Sequence, residues 1–256
     1  MKIVASDYDG TLRTQEYVDK KDIEMIRKFR KAGNMFGIVT GRSMESIKQE
    51  IKNNEIEFDF IVANNGGVIY DREFQKLQCL YMDFHKALDI ISYIKEVDCA
   101  SYVINDGYHR YKFSIDEQQV DHKYANMPDQ NFREEEVLDN GKIAQLVISL
   151  NDSELADEIA RHINVHFKGY AVAYVNINCV DIVPAGVSKA EGLYFIENEY
   201  HLCHEDIYAI GDSFNDVPMI QEFHGCAVAH ARTVIKEQAE AVYASVGACI
   251  ADVMEG

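Results

Sequence analysis

The sequence predicts an α/β protein: a parallel sheet with helices on its faces, interrupted by an inserted α+β segment. Three observations predict it. Strand and helix signals alternate over residues 1–81, the alternation resumes over residues 184–256, and between them, over residues 82–183, closely spaced strand signals replace it. The first strand runs from Lys2 to Asp7, a short apolar run ending in turn chemistry. A helix follows from about Asp19, with Ile23, Ile26 and Phe29 on one face and Gly33 just past its end. Met35 to Thr40 reads as the second strand. Ser43 can cap a helix carrying Met44, Ile47 and Ile51, and Asp59 to Ala63 reads as the third strand. The insertion opens with a helix bearing Ala87, Ile90, Ile91 and Ile94. Short strands follow around Tyr102 and Tyr111, then a polar stretch from Asp116 to Asn140, read as a solvated loop with a helical turn. A strand at Ile143 to Leu150, a helix near Glu154 to His166 and strands within Tyr170 to Val183 suggest an antiparallel sheet. Ser188 and Glu191 then form a possible capping box, a helix runs to about Asn198, Ile207 to Gly211 is a strand, and two further β/α units complete the chain.

At 256 residues with 47% apolar and 27% charged residues and only 3 prolines, the chain has the balance of a globular protein with a real core. Its formal charge of −18 repels phosphate backbones and anionic headgroups, which disfavours general nucleic-acid or membrane binding. A small anionic substrate is still compatible, because a metal ion or a few local cations can invert the field inside one pocket. The six cysteines are too far apart in sequence for metal-ligand pairs and read as reduced thiols. Asp7 interrupts the first apolar run, and no uncharged run approaches the roughly 18 residues that span a bilayer. The expectation is a cytoplasmic protein.

The chemistry-bearing clusters all fall where strands end, the edge at which open α/β sheets bind ligands. Asp7-Tyr8-Asp9-Gly10-Thr11 follows the first strand, Thr40-Gly41-Arg42 the second, Asn64-Asn65-Gly66-Gly67 the third, and Gly211-Asp212-Ser213-Phe214-Asn215-Asp216 the strand after the insertion. Each also has a plain structural reading. Asp7 to Gly10 can be an acidic turn, Thr40-Gly41 an ordinary β/α turn and Asn65-Gly66 a hairpin turn. Asp212 and Asp216 can be helix-cap acids, and Lys189 a surface lysine in a helix's first turn.

With these motifs in this order, the sequence resembles the haloacid dehalogenase-like phosphohydrolases, in the Cof-type branch with a large inserted cap. DxDGT matches their first motif, Thr40 the second, Lys189 the third and Gly211 to Asp216 with Met219 the fourth. Asp181 to Lys189 is also typical of that branch. The resemblance spans the two outer segments and implies a Rossmann-like core under an inserted α+β cap that governs specificity. It implies an Mg²⁺-dependent phosphatase acting on a small phosphorylated metabolite, a sugar phosphate or a phosphorylated cofactor.

The chemistry explains the set: a phosphate monoester dianion repels a carboxylate nucleophile unless cations neutralise both and hold them in line. By the resemblance, Asp7 is the nucleophile that forms an aspartyl-phosphate. Asp9 protonates the leaving group and then activates water, which asks for an Asp9 protonated at the first step. The metal ligands are the Asp7 carboxylate, the Asp9 carbonyl, Asp212, and Asp216 directly or through water. Thr40 bonds the phosphoryl oxygens and Lys189 supplies fixed positive charge. Gly10, Thr11, Gly41, Arg42, Asn65 and Asn215 complete the substrate-facing set. Arg42 either meets a substrate anion or pairs with an Asp at the rim. His230 stands about where the family carries an asparagine, either as an exposed strand-end residue or in the phosphate shell. In the insertion, His109, Arg110, His122 and Lys123 are either specificity contacts or loop residues. A phosphomutase, told apart by an isomerised product, and a phospho-receiver module, told apart by long-lived phosphorylation, are the competing functions. Oligomeric state is not legible.

Overall fold

The structure, a computed structural model, describes residues 1–121, 124, 127, 132–176 and 178–255. The first outer segment contains β1 (Ile3–Asp7), a small hairpin of β2 (Arg13–Thr14) and β3 (Tyr17–Val18), α1 (Lys20–Lys31), β4 (Met35–Val39), α2 (Met44–Asn54), β5 (Phe60–Ala63), β6 (Val68–Asp71) and β7 (Lys76–Cys79). The insertion contributes α3 (Phe84–Ile94), β8 (Ser101–Asn105), β9 (Arg110–Ser114), α4 (Glu134–Leu138), β10 (Gln145–Ser149), α5 (Ser153–His166), β11 (Ala171–Asn176) and β12 (Cys179–Pro184). The last segment holds α6 (Lys189–Glu199), β13 (Ile207–Gly211), α7 (Val217–Glu222), β14 (His224–Val228), α8 (Thr233–Lys236), β15 (Ala241–Tyr243) and α9 (Val246–Glu255).

The outer segments share one eight-stranded sheet in the order β15-β14-β13-β1-β4-β5-β6-β7. From β15 to β5 the neighbours run parallel, and β6 returns antiparallel to β5. Every residue of β1 is buried, as expected of a strand covered on both faces. Its neighbours β4 and β13 come from different halves of the chain, so the carboxyl end of β1 is a switch point where the connections diverge. That is where an open α/β sheet leaves a crevice. Asp7 is the last residue of β1.

Local chemistry agrees with the sequence reading in most elements. The Asp19 side chain accepts from Lys21 N–H at 2.9 Å to cap α1, whose Ile23, Ile26 and Phe29 are buried. Ser188 caps α6 by accepting from Glu191 N–H at 3.1 Å. The hairpin of β2 and β3 and the strands β6 and β7 at one end of the large sheet have no counterpart in the sequence reading. Their strands are two to four residues long, too short for periodicity to register.

By its contacts the chain divides into two compact units. One comprises Met1–Arg42, Ser46–Gln78 and Ser188–Gly256, and the other Ser43–Glu45 and Cys79–Val187. The second unit includes all of β12 and runs on to Val187. That unit holds a five-stranded antiparallel sheet in the order β11-β12-β10-β8-β9. Alternation along its strands sends Tyr102, Ile104, Leu146, Ile148, Val180 and Ile182 to one face, against Ile90, Ile91, Ile159 and Ile163 of α3 and α5.

Candidate active site

The site is built at the carboxyl ends of β1 and β13. After β1 the chain turns back sharply, with Leu12 N–H donating to the Asp7 carbonyl at 3.3 Å and Arg13 N–H to the Tyr8 carbonyl at 2.7 Å. Gly10 has φ +86°, and a Cβ there would lie 2.5 Å from Asp212 Oδ2. Only glycine lets this loop close on the loop that follows β13. Thr11 Oγ1 then donates to Asp212 Oδ1 at 2.7 Å, tying the two loops together across 201 residues of sequence.

Lys189 opens α6 and is 1% exposed, so it is no surface lysine. Its Nζ donates to Asp7 Oδ1 at 2.6 Å and to Asp216 Oδ1 at 2.5 Å. The other oxygen of Asp216 accepts from Asp212 N–H at 3.0 Å and Ser213 N–H at 2.9 Å. Asp216 is thus both the cap-like acid of its own loop and a member of the charged cluster. Two glycines permit this approach. A Cβ on Gly66 (φ +113°) would meet the Ser188 carbonyl oxygen at 2.0 Å, and one on Gly211 would meet the Asp216 side chain at 2.4 Å.

Asp7, Asp212 and Asp216 each offer an oxygen, and these oxygens lie within 4.8 Å of one another. Burial pushes the Asp7 carboxyl well above the ordinary range and the charge of Asp216 adds to this, with Lys189 pulling the other way. Asp212 is raised for the same leading reasons, burial and Asp216, against the hydrogen bond from Thr11. For Lys189, burial opposes the charge, and the attraction of Asp216 and Asp7 outweighs it, so the ammonium is held. One ammonium among three carboxylates leaves a net negative cluster of hard oxygen donors. This donor set fits a hard divalent cation such as Mg²⁺, which takes carboxylate and water oxygens.

The remaining expected site residues fall nearby in different roles. Thr40 is buried, and its Oγ1 accepts from Arg42 N–H at 3.1 Å. Gly41 lies between them at the start of the β4–α2 turn. Asn65 and Asn215 meet each other, Asn215 Nδ2 donating to Asn65 Oδ1 at 2.9 Å, so the loops after β5 and β13 are joined as well. Arg42 takes the second of its two expected roles, and its partner is Asp9 itself. Nε and Nη2 grip the two carboxylate oxygens at 2.6 and 2.7 Å. The Asp9 carboxylate is therefore not in the acidic cluster. His230 Nε2 lies 2.6 Å from the Gly10 carbonyl oxygen, which brings this exposed residue onto the loop after β1.

A family model described as haloacid dehalogenase-like hydrolase matches residues 4–250. The chain belongs to the haloacid dehalogenase-like hydrolases. This hydrolase is 27% identical over 265 residues, covering 93% of its own length and 91% of the relative's, to a 5-amino-6-(5-phospho-D-ribitylamino)uracil phosphatase of Bacillus subtilis. It is 24% identical to a Mycoplasma pneumoniae protein named as a phosphatase, over 86% of this chain and 81% of the other. A Cof-like hydrolase from Plasmodium vivax shares its fold with a TM-score of 0.83 at 23% identity, over 100% of this chain and 95% of the other. A subclass IIB sugar phosphatase of the same superfamily does so with a TM-score of 0.81 at 16% identity, over 100% and 98%. The hydrolase is accordingly an enzyme of the phosphatase branch with a Cof-type architecture.

Of the inserted-unit candidates, His109 Nδ1 lies 3.2 Å from Asp106 Oδ2 and Arg110 Nε 3.3 Å from Glu45 Oε2. His122 and Lys123 lie outside the described residues. Among the described residues no helix is long and apolar enough to cross a membrane. The participant that sequence reasoning missed is Glu50. Its place three residues after buried Ile47 puts it on the flank of the inner face of α2. This faint signal is shared by many solvated helix acids.

Proposed function

We propose that the hydrolase is an Mg²⁺-dependent phosphatase of small phosphorylated metabolites and that Asp7 is its nucleophile. The observation that carries the proposal is the buried ammonium of Lys189 between Asp7 and Asp216. It favours the ionised form of Asp7 against burial and the charge of Asp216, at the carboxyl end of β1. In the proposed reaction an Asp7 oxygen attacks phosphorus as the ester P–O bond breaks, Asp9 hands a proton to the departing oxygen, and an aspartyl-phosphate forms. Asp9 then takes a proton from the water that releases phosphate and frees Asp7. Mg²⁺ bound by Asp7, Asp212, Asp216 and the Asp9 carbonyl would neutralise charge on the phosphoryl oxygens. Thr40, the backbone N–H groups of the Gly10 and Gly41 turns and Lys189 would hold those oxygens.

For substrate class, the B. subtilis relative's name points to a phosphorylated ribityl compound, and the subclass IIB neighbour is a sugar phosphatase. A polyol or sugar phosphate is therefore the first class to assay. The inserted unit is proposed as the cap that selects the leaving group, since the core residues address only the phosphoryl group. The charge of −18 disfavours nucleic acid and membrane as partners and leaves a small molecule, in keeping with the expected cytoplasmic role. The phosphomutase and receiver readings are not favoured by relatives named as phosphatases along nearly the whole chain. The deciding experiment is phosphate release from a panel of sugar, polyol and nucleotide phosphates with Mg²⁺, with EDTA and with Asp7→Asn. Release that persists in EDTA, or in Asp7→Asn at above about a tenth of the wild-type rate, overturns the proposal.

A further inference from the structure

We infer that Glu50 is a positioning residue for Asp9, acting through Arg42; the inference rests on the phosphatase reading and deepens it. The Arg42 guanidinium is shared by two acids. One edge holds Asp9, while Nη1 donates to Glu50 Oε1 at 3.0 Å and to Ser46 Oγ at 3.2 Å. Tyr8 lies beneath it, with its ring centroid 5.2 Å from the guanidinium carbon, and its hydroxyl donates to Glu50 Oε2 at 2.9 Å. Asn54 Nδ2 donates to the Glu50 carbonyl at 2.9 Å, so the helix backbone under Glu50 is tied as well. A guanidinium is a rigid fork with five N–H donors, so fixing one edge and the plane fixes the other edge.

The arrangement sets a problem that Glu50 solves. With both oxygens accepting from the Arg42 fork, Asp9 presents neither to a leaving group and holds no proton there, so it must leave the fork before it can act as the acid. Tyr8 follows directly on β1 and reaches α2 through Glu50, and Arg42 is anchored to α2 through Glu50 and Ser46. When Asp9 swings out, Glu50 remains as the counter-charge of the guanidinium and keeps the fork in place. The fork then receives Asp9 again between turnovers. Arg13 approaches the same two acids, Nη1 lying 3.6 Å from Asp9 Oδ1 and Nε 3.9 Å from Glu50 Oε2, so without the Glu50 charge Asp9 is the acid left, among the described residues, to both guanidiniums, which hold it back from the leaving group.

The test uses the leaving group. A simple alkyl phosphate needs the proton from Asp9, whereas 4-nitrophenyl phosphate releases a stable phenolate and needs it little. kcat/KM reports only the steps up to the aspartyl-phosphate, so its alkyl-to-aryl ratio isolates proton delivery from later hydrolysis. Glu50→Gln keeps the size of the side chain and an acceptor for Tyr8. It is expected to lower the alkyl kcat/KM by roughly ten-fold or more while changing the aryl value by less than about three-fold, within the span of lost general-acid catalysis. Asp9→Asn should shift the ratio the same way, and adding Glu50→Gln to it should change the ratio no further. An unshifted ratio in a folded Glu50→Gln protein, or a further shift in the double variant, overturns the inference. If Glu50→Gln does not fold, Glu50→Asp carries the same measurement, with the same ratio as criterion. Wild-type protein that releases phosphate from neither ester defeats the phosphatase reading instead.

Discussion

The ammonium of Lys189 and the carboxylate of Asp7 stand 2.6 Å apart although 182 residues separate them in the chain. Both side chains are buried, and Lys189 is shared with Asp216, so the ammonium keeps a charged partner when Asp7 loses its charge, whereas both carboxylates depend on the one ammonium. Asp7→Asn removes the attacking charge and should lower turnover by several orders of magnitude with the fold intact. Because the folded protein raises the Asp7 pKa, the ionised form destabilises the fold at neutral pH, where the unfolded chain is fully ionised. Asp7→Asn should therefore melt no lower than wild type in EDTA. Lys189→Met leaves Asp7 and Asp216 facing each other unpaired, and should lose about 3–5 kcal/mol of stability together with activity on every substrate. Parallel thermal melts and phosphate assays check both, and an Asp7→Asn protein melting far below wild type would show that the Asp7 charge stabilises the fold.

Metal linkage supplies a readout free of catalysis. If Asp7, Asp212 and Asp216 bind one Mg²⁺, adding it should raise the melting temperature, because a ligand that binds only the folded state stabilises it by mass action. Asp212→Asn should blunt that rise. Ca²⁺ should raise the melting temperature too but inhibit turnover, since its larger and looser shell misplaces the nucleophile. A melt indifferent to Mg²⁺ at millimolar levels removes the metal from this cluster.

Backbone approach can be tested at Gly66. An alanine there puts a Cβ 2.0 Å from the Ser188 carbonyl oxygen at φ +113°, so the loop after β5 and the start of α6 must separate. Lys189 moves with Ser188. Gly66→Ala should cost more than about 2 kcal/mol, in the range of strained backbone with steric overlap, and depress kcat/KM for all esters in equal proportion. A near-native melt and full activity would show that the two segments are not pinned as described.

The candidate site was largely legible because β1, β4, β5 and β13 switch from apolar to polar residues where they end. Ile3 to Ala5 followed by Asp7, and Ile207 to Ile210 followed by Gly211 and Asp212, mark both the strand and the crevice. Pairing among polar residues was not legible. Nothing local in Asp7-Tyr8-Asp9 says that one aspartate turns to Lys189 and the other to Arg42, because the partners arrive from distant strands. Glu50 was hidden for the same reason: an acid on an amphipathic helix usually faces water, and only the fold brings Arg42 and Tyr8 to it. In the inserted unit, the polar stretch after Asp116 read as solvated, and its α4 turn is there at Glu134–Leu138. Its other feature, an anchored aspartate, depends on serines in two separate strands.

That aspartate is Asp121. Its carboxylate accepts from Ser101 Oγ at 2.5 Å, Ser149 Oγ at 2.9 Å and Tyr124 N–H at 2.9 Å, and Lys112 Nζ lies 2.9 Å away. Burial alone raises its pKa, but the hydrogen bonds from Ser101, Lys112, Tyr124 and Ser149 outweigh burial and hold it at about 2. A carboxyl depressed in the folded state stabilises the fold above its unfolded pKa of about 3.9, and that contribution is lost as pH falls through the folded value. Asp121→Asn cannot accept from all four donors, so it should lower stability at pH 7 by on the order of 2 kcal/mol, the scale of hydrogen bonds to a charged group. The gap between wild type and variant should stay constant from pH 7 to pH 5 and close as pH drops from about 4 towards 2. Urea melts at pH 7, 5, 4 and 3 read this directly. A gap that persists undiminished at pH 3 and below would mean that the loop is held by packing of Tyr124 against Val103, Val147 and Cys179, with the carboxylate a bystander.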